Sequence, residues 1–463
     1  MDIPLSRSAI SGGLLFLLAA CQAPPPPEPR EIVSPPERFR ASGEVVLARP
    51  WWTAFGQPEL NREVETALRD NFSLAAAWER VQAAKAVYRR NAADRWPELD
   101  AFAEAERGDE ENGNNSRDEY RVGLQAGYEV DLWGRIRSRV EAEEFRARAT
   151  EEDYETAALS LAAEVSRTWM LLTEAVAQER LLEEQLEVNK RALSLLESRF
   201  ANGQSPAADV LRQELLTEAT RERLLQAKSR RAVLQNLLAV LKGRSPSGAQ
   251  APEPGSLPDL PPLPATGLPA ELLQRRPDLK AAYLRVEATN RDLAAAVRDR
   301  FPRLNLTASL ETAAQDPSGL FEEWTNQLAA SLIGPILDGG QRAAEVRRRR
   351  ALERERLNLY AQAAVEAFRE VEDALVREKR RKERLRSLRR QLRLAGETYE
   401  QLRTEYFNGA GNYLDVLTAL TDRQDLRRTL LQARRELLET RIALYRALAG
   451  AAKDPAGAES DPS

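Results

Sequence analysis

The sequence predicts an α+β membrane protein built from two similar halves, each a hairpin of strands followed by a hairpin of long helices. Three observations lead to this prediction: a motif that recurs about 206 residues apart, two stretches in which apolar and polar residues alternate, and two long segments without proline. Repetition of a whole supersecondary unit indicates duplication, and a period this long indicates two half-domains rather than a solenoid.

The repeated motif lies at the end of each long helical segment. Residues 200–203 read Phe-Ala-Asn-Gly, residues 406–409 read Tyr-Phe-Asn-Gly, and each glycine is followed six residues later by Asp-Val-Leu. An apolar stripe spaced 4, 3, 4, 3, 4 leads into each copy, from Leu182 to Phe200 and from Leu388 to Tyr406. This spacing is typical of a coiled-coil seam, so the long helices are expected to pack side by side.

Composition removes several classes of function. The 463-residue chain is 30% charged with a net charge of -4, which gives no reason to expect nucleic acid as a partner. Histidine is absent, and with it the commonest metal ligand and general base. Cys21 is the only cysteine, so an intrachain disulfide or a cysteine-rich zinc site cannot form. We therefore predict no catalytic residue, no metal and no cofactor.

The N-terminus resembles a bacterial lipoprotein signal. Residues 9–20 are apolar but too few to cross a bilayer, and they end in Leu-Ala-Ala immediately before Cys21. The resemblance implies that residues 1–20 are removed, that Cys21 is lipidated, and that the protein goes to the outer membrane, because Gln22 rather than aspartate follows. The alternative is an ordinary signal peptide in which Cys21 is incidental. The prolines beyond it predict an extended tether, within a tether and belt segment over residues 21–57.

Four strands are predicted from residues that alternate in polarity. A helical pattern over residues 58–95 gives way at Pro97 to a strand hairpin over 98–132, and a second helical pattern over 269–300 precedes a hairpin over 303–335. Each strand has about ten residues, which is enough to cross a bilayer when the strand is tilted.

Each strand hairpin is followed by helices of unusual length. The predicted long helices cover residues 134–200 and 339–407, and the predicted return helices cover 206–242 and 412–449. The two repeats therefore span 58–243 and 269–450, joined by a linker rich in proline and glycine over 244–268. Residues 451–463 are predicted to be a disordered tail.

A membrane barrel would explain strands of this kind. An open sheet cannot lie in lipid because its edge groups would lack hydrogen bonds, and membrane barrels begin at about eight strands, so several chains must share one barrel. Aromatic residues near the strand ends are typical of a membrane girdle; they are Trp96, Tyr120, Trp133, Phe301, Phe321 and Trp324. The alternative is a small soluble sheet with these aromatics in its core.

Four local motifs, at residues 129–135, 273–279, 334–340 and 407–417, together resemble the TolC/OprM outer-membrane efflux channel family. The resemblance implies a homotrimer with a twelve-stranded outer-membrane β-barrel on a periplasmic α-helical barrel. Residues 43–52, the linker and the C-terminal region would form a belt around that tube. It also implies a non-enzymatic exit duct for solutes or drugs, embedded in outer-membrane lipid. A periplasmic adaptor and an inner-membrane pump, expected to be proton-driven, would deliver the cargo.

The same resemblance places the periplasmic end at the two helical tips. It implies a closing gate at Tyr406, Leu414, Asp415 and Thr418. It implies adaptor docking at Asn202, Gly203, Gln204, Ser205, Asn408, Gly409, Ala410 and Gly411. A ring of leucines can block water and a ring of acids can select by charge. Asp209 and Asp415 could instead stabilise helix N-termini. Thr418 stands where relatives often have aspartate, so either the acidic gate is weaker in this chain or its acid is Asp415 or Asp422.

Two other classes of protein compete with the duct. A lipid-anchored periplasmic coiled-coil scaffold without a pore would explain the helices and the anchor, but not four bilayer-length strands at matching positions. A secreted hydrolase that uses carboxylates has no positive signal in the sequence. The arginine-rich segments at 347–350 and 377–393 are interleaved with glutamate on long helices, which indicates solvated faces with pairs one helical turn apart rather than an anion site.

Overall fold

A computed structural model describes residues 33–48, 50–109, 116–247 and 254–448. Cys21, the predicted signal peptide and the predicted tail over 451–463 lie outside these residues.

The α-helices and β-strands form two sets of elements in the same order. The first half contains α1 (Pro58–Asp70), α2 (Phe72–Ala93), β1 (Glu98–Asp109), β2 (Ser116–Val130), α3 (Arg135–Ala201) and α4 (Ala207–Leu241). The second half contains α5 (Pro269–Arg275), α6 (Pro277–Arg298), β3 (Arg303–Ala314), β4 (Thr325–Ile333), α7 (Gln341–Phe407) and α8 (Tyr413–Ala447). Both long helices have 67 residues and both return helices have 35. These equal lengths confirm the predicted duplication.

The helix before each strand hairpin differs from the prediction, because each predicted helix is broken in two. Asn71 is extended between α1 and α2, and its Oδ1 accepts a hydrogen bond of 2.9 Å from the Leu74 N–H, which caps the second helix. In the second half, Pro277 starts α6 and holds the preceding Arg276 in an extended conformation. Both breaks depend on one local residue within an otherwise helical pattern.

The long and return helices each begin one or two residues after the predicted start, and the two return helices also end one or two residues early. The long helix α7 ends at the predicted Phe407, whereas α3 ends at Ala201, one residue beyond the predicted end. Gly134, Gly339 and Gly340 adopt positive φ angles, so the long helices begin only after them. Pro206 and Asn412 are extended N-cap residues, which puts the first helical residues at Ala207 and Tyr413.

The chain divides into two compact units. The first contains Glu79–Glu152 and Asp278–Ala363, and includes a four-stranded antiparallel sheet in the order β1-β2-β3-β4. In this sheet Leu124 pairs with Leu310, and Ala308 pairs with both Ala126 and Leu328. Because side chains alternate between faces, this register places the predicted apolar residues on one face of the sheet.

The aromatic residues near the strand ends do not form a core for this sheet. Trp96, Phe321 and Trp324 are exposed. Trp133 stacks on Phe301 with ring centroids 5.1 Å apart. Exposed aromatics at strand ends disagree with the alternative of a soluble sheet built around them and agree with a membrane girdle.

The second unit contains Pro35–Trp78, Asp153–Pro277 and the chain from Ala364 onward. Its core gathers buried aromatic residues: Trp51 lies edge-on to Trp52, with centroids 5.7 Å apart, and tilted to Tyr445 at 5.8 Å. A parallel bridge between Val45 and Pro264 joins the N-terminal segment to the linker. Within the described residues, no helix has the length and apolar composition needed to cross a membrane.

Candidate functional site

The two helical hairpins end in turns with the same backbone geometry. In the first, Gly203 has a φ of 71°, and the Gln204 N–H donates to the Arg199 carbonyl at 2.8 Å. In the second, Gly409 has a φ of 74°, and the Ala410 N–H donates to the Glu405 carbonyl at 2.9 Å. This pattern closes a helix on a left-handed residue, a conformation that glycine adopts without strain.

The predicted docking residues surround these two turns. Seven of the eight are exposed, at 202–204 and 408–411, whereas Ser205 is buried. The Ser205 hydroxyl lies 3.5 Å from the Asp209 carboxylate, within the start of α4. The exposed backbone of both turns is therefore accessible, and Ser205 supports its turn from inside.

The second return helix begins with a side-chain cap that the first lacks. The Asn412 Oδ1 accepts a hydrogen bond of 3.0 Å from the Asp415 N–H, and the Asn412 amide donates to the Asp415 carboxylate at 2.7 Å. Pro206, at the equivalent position, offers no side-chain cap. The helix-stabilising role considered for Asp415 thus has a geometric basis, although its carboxylate remains exposed.

The buried face of α8 anchors this tip to the first hairpin. Tyr413 and Val416 pack in one apolar cluster with Leu196 of α3, and the Tyr413 hydroxyl donates to Gln213 Oε1 at 2.5 Å. Burial, together with nearby Tyr399, Tyr406 and Asp209, raises the pKa of Tyr413 above its usual range. The raised pKa favours the neutral phenol, which is the form that donates this hydrogen bond.

The four predicted gate residues do not share one environment. Tyr406 is half-buried beneath the Arg199 guanidinium, which lies 5.0 Å from its ring centroid, and its ring lies 5.5 Å from that of Tyr413. Leu414, Asp415 and Thr418 lie instead on the exposed face of α8, where Leu414 is 47% exposed. The Thr418 hydroxyl donates to the Leu414 carbonyl at 2.8 Å, so the helix backbone already occupies it.

Asp415 and Thr418 share a surface groove with the other candidate acid, Asp422. This groove runs between α7 and α8, and its remaining lining is formed by Ala395, Thr398, Leu402 and Ala419. Two carboxylates therefore lie along the exposed side of the second tip, one helical turn to either side of Thr418.

A buried amide cluster above the tip was not predicted. The Gln424 amide donates to Asn189 Oδ1 at 2.8 Å, the Gln213 amide donates to the Asn189 carbonyl at 2.9 Å, and the Asn189 amide donates to Thr220 Oγ1 at 2.9 Å. These contacts join α3, α4 and α8. Asn189 is the polar member of the predicted apolar stripe, and a buried asparagine at such a seam position fixes helix register. That break in the stripe was the signal available in the sequence.

Comparisons with known proteins identify the family. Residues 64–244 and 268–450 match the model of the outer membrane efflux protein family. The chain belongs to this family. It is similar to the pyoverdine export outer membrane protein OpmQ of Pseudomonas aeruginosa, at 30% identity over 94% of this chain and 95% of that protein. It is also similar to the outer membrane protein OprJ of the same species, at 32% identity over 88% and 87% of the two chains.

Solved structures agree with this assignment to the outer membrane efflux protein family. The outer-membrane channel OprN superposes with a TM-score of 0.83 at 30% identity, covering 93% of this chain and 97% of that chain. The predicted family, duplicated α+β fold and outer-membrane location are thereby confirmed, and the function is that of an outer-membrane exit duct of an efflux system. Members of this family are transport ducts. In the described residues, no group of histidine, cysteine or carboxylate side chains could hold a metal.

Proposed function

We propose that three copies of this chain share one barrel and form the passive exit duct of a tripartite efflux system. The four-stranded sheet leaves β1 and β4 as its edges, and its apolar face includes the exposed Leu328 and Leu332. Unpaired edges are costly in lipid, and three sheets of four strands closed edge to edge would satisfy them with an apolar outer face.

The periplasmic end of this duct is closed by the second tip, with Leu414 and Asp415 as the constricting residues. The observation that carries this proposal is the division of α8 into two faces. Tyr413 and Val416 hold one face against the first hairpin, while Leu414 and Asp415 project from the other. A residue directed at a threefold axis forms a ring, and a leucine ring excludes water while an aspartate ring selects by charge.

Tyr406 and Thr418 belong to the proposed gate but do not form its constriction. Tyr406 packs beneath Arg199 and so links the second tip to the first. Thr418, whose hydroxyl bonds to the helix backbone, offers no charge at the position where an acid is common, so Asp415 and Asp422 supply the negative charge of the groove.

The exposed turns at 202–204 and 408–411 are proposed as the docking surface for a periplasmic adaptor. Their accessible backbone and shared geometry support this role. The inner-membrane pump that the adaptor recruits, proton-driven in this proposal, supplies the energy, and the chain itself catalyses no reaction.

Cys21 is proposed as the lipid attachment site. Intact-mass measurement of membrane-extracted protein would detect the acyl chains, which Cys21→Ser would lack.

Single-channel conductance in planar bilayers tests the duct and its gate together. The purified protein is expected to give small, mostly closed currents, and Leu414→Ala/Asp415→Ala is expected to give larger and longer openings. Leu211→Ala is the matched control, because Leu211 is an exposed leucine on the return helix of the first tip; its currents should equal those of the unaltered protein.

Two results would contradict the proposal. Equal currents from the double variant and the unaltered protein would remove Leu414 and Asp415 from the gate. No current from any variant, despite a folded membrane-extracted trimer, would contradict the duct and favour the lipid-anchored scaffold.

A further inference from the structure

A cluster of arginines lies where the strands meet the long helices, within the first compact unit. Its carboxylates are Glu129 at the end of β2, Asp299 after α6 and Asp338 before α7. Its cations are Arg135, Arg139, Arg298, Arg303 and Arg342. The gate and docking proposals use none of these residues.

The carboxylates of this cluster are shared among more cations than they can neutralise. Arg135 donates to both oxygens of Glu129 at 2.7 Å. Asp299 lies 2.6 Å from Arg303, 3.7 Å from Arg342 and 3.9 Å from Arg135. Although Arg135 and Arg342 also pair with Glu129 and Asp338, the five guanidinium groups outnumber the three carboxylates, so the cluster has an excess of positive charge.

Arg139 is the cation of this cluster that is accessible to a ligand. It lies one helical turn beyond Arg135 and is exposed, and it makes no hydrogen bond or ion pair with any residue that the structure describes. Partial burial and the positive charges of Arg135 and Arg303 lower its pKa from the usual range, against the opposing effect of the Asp299 and Glu129 carboxylates. An anion placed beside Arg139 would therefore gain a charge-assisted contact and relieve repulsion among the arginines.

Several apolar residues are close in the sequence to the arginines of this cluster. Trp133 stacks on Phe301, and its indole N–H donates to the Pro302 carbonyl at 2.7 Å. Leu132 is half exposed, and Ile336 and Leu337, just before Asp338, are almost fully exposed. Arginines that lie close in the sequence to aromatic residues and exposed aliphatic residues are typical of the level at which a membrane protein meets lipid headgroups.

We propose that this junction binds the phosphate of an outer-membrane phospholipid, in the leaflet that faces the long helices, with Arg139 as a direct ligand. In this proposal Arg303 completes the phosphate contact, while Leu132, Ile336 and Leu337 meet the acyl chains. A phosphate carries the charge that complements the excess of guanidinium groups, and the exposed apolar residues require the attached hydrocarbon. The inference rests on the barrel of the proposed function, because it needs the strand ends to lie in a bilayer.

Binding of phosphatidylglycerol to the purified full-length protein in a neutral detergent tests this site. Native mass spectrometry would count lipids retained per oligomer across a titration, for the unaltered protein and for Arg139→Gln. Arg137→Gln is the matched control, because Arg137 is exposed on the same turn of α3 but, two residues after Arg135, lies about 200° around the helix from it. Arg139→Gln should weaken retention about fivefold, the usual effect of one arginine near a lipid surface, while Arg137→Gln leaves it unchanged.

A second arm replaces the lipid with inorganic phosphate and follows the thermal melting temperature. Stabilisation by phosphatidylglycerol but not by phosphate is expected. Equal stabilisation by both would identify a free-anion site and overturn the lipid assignment, as would equal lipid retention by Arg139→Gln and the unaltered protein. Conductance of the same preparations separates this proposal from the proposed function. If the protein conducts but its lipid retention does not depend on Arg139, the lipid site is contradicted and the exit duct is not.

Discussion

The two helical tips have the same backbone turn and differ in what their return helices expose. Asp209 and Asp415 occupy equivalent positions, yet Asp209 is buried beside Ser205 and Arg212 whereas Asp415 is exposed beside Asn412. Duplication preserved the turn, which depends on one glycine and two backbone hydrogen bonds. The side chains around it diverged, so one tip packs inward and the other presents an open polar and apolar face.

The largest expected effect comes from removing the anchor that only the second tip has. Tyr413 is buried there, while Ala207 stands at the equivalent position of the first tip. Tyr413→Ala should destabilise the start of α8 by about 3 kcal/mol, because it leaves a cavity and removes a hydrogen-bond partner from Gln213. Hydrogen exchange of peptides covering 408–420 would measure this. Unchanged protection there would show that the second tip is not held by this side chain.

The buried amide cluster should give the next largest effect. Gln424→Leu leaves the Asn189 side-chain oxygen without its partner, at a cost of about 2 kcal/mol. The equivalent residue of the first return helix, Glu218, is exposed, so Glu218→Leu is the matched control and should change stability by less than about 0.5 kcal/mol. Denaturant titration of the detergent-solubilised protein would compare the two. Equal losses would contradict a role for this cluster in fixing register.

The equivalent aspartates should respond unequally to the same substitution. Asp209→Ala removes a buried carboxylate from Ser205 and Arg212 and should cost about 1.5 kcal/mol of local stability. Asp415→Ala should cost less than about 1 kcal/mol, since it loses only an exposed contact near a helix N-terminus. Hydrogen exchange of each tip would rank them, and the reverse order would remove the distinction between a structural and an exposed aspartate.

The smallest effect should be the same in both tips. Gly203→Ala and Gly409→Ala each place a β-carbon on a residue with positive φ, and neither β-carbon meets another atom within 4 Å. Each should therefore cost about 1 kcal/mol from backbone strain alone. Melting temperatures of the two variants should fall equally; a clear difference would show that the turns are not equivalent.

Local sequence patterns predicted the fold because each pattern depends on near neighbours. Alternation in the strands gave the apolar face that Leu124 and Leu310 share. The arginine run was predicted to be a solvated face, and Glu345 indeed pairs with Arg348 and Arg349 at 2.7 Å each, which lowers the pKa of Glu345 to about 2. Such pairs form between residues one helical turn apart, so spacing alone identifies them.

Contacts between distant segments could not be predicted in the same way. Asn189 and Gln424 are 235 residues apart, and no local pattern says which faces of α3 and α8 meet. For the same reason the sequence could not separate the four predicted gate residues into two environments. Tyr406 packs beneath Arg199, whereas Leu414 is exposed. The breaks at Asn71 and Arg276 were missed because the apolar spacing continues across them.

The equal lengths of the paired helices have a consequence for symmetry. In the proposed trimer, two identical turns per chain give six copies of one backbone shape around the axis, while the divergent side chains repeat only three times. A partner that reads the exposed backbone at Gly203 and Gly409 would meet six equivalent positions. A partner or solute that reads Leu414 and Asp415 would meet three. The same assembly can therefore have six equivalent docking positions for a partner protein and a threefold ring of side chains around the path of a solute.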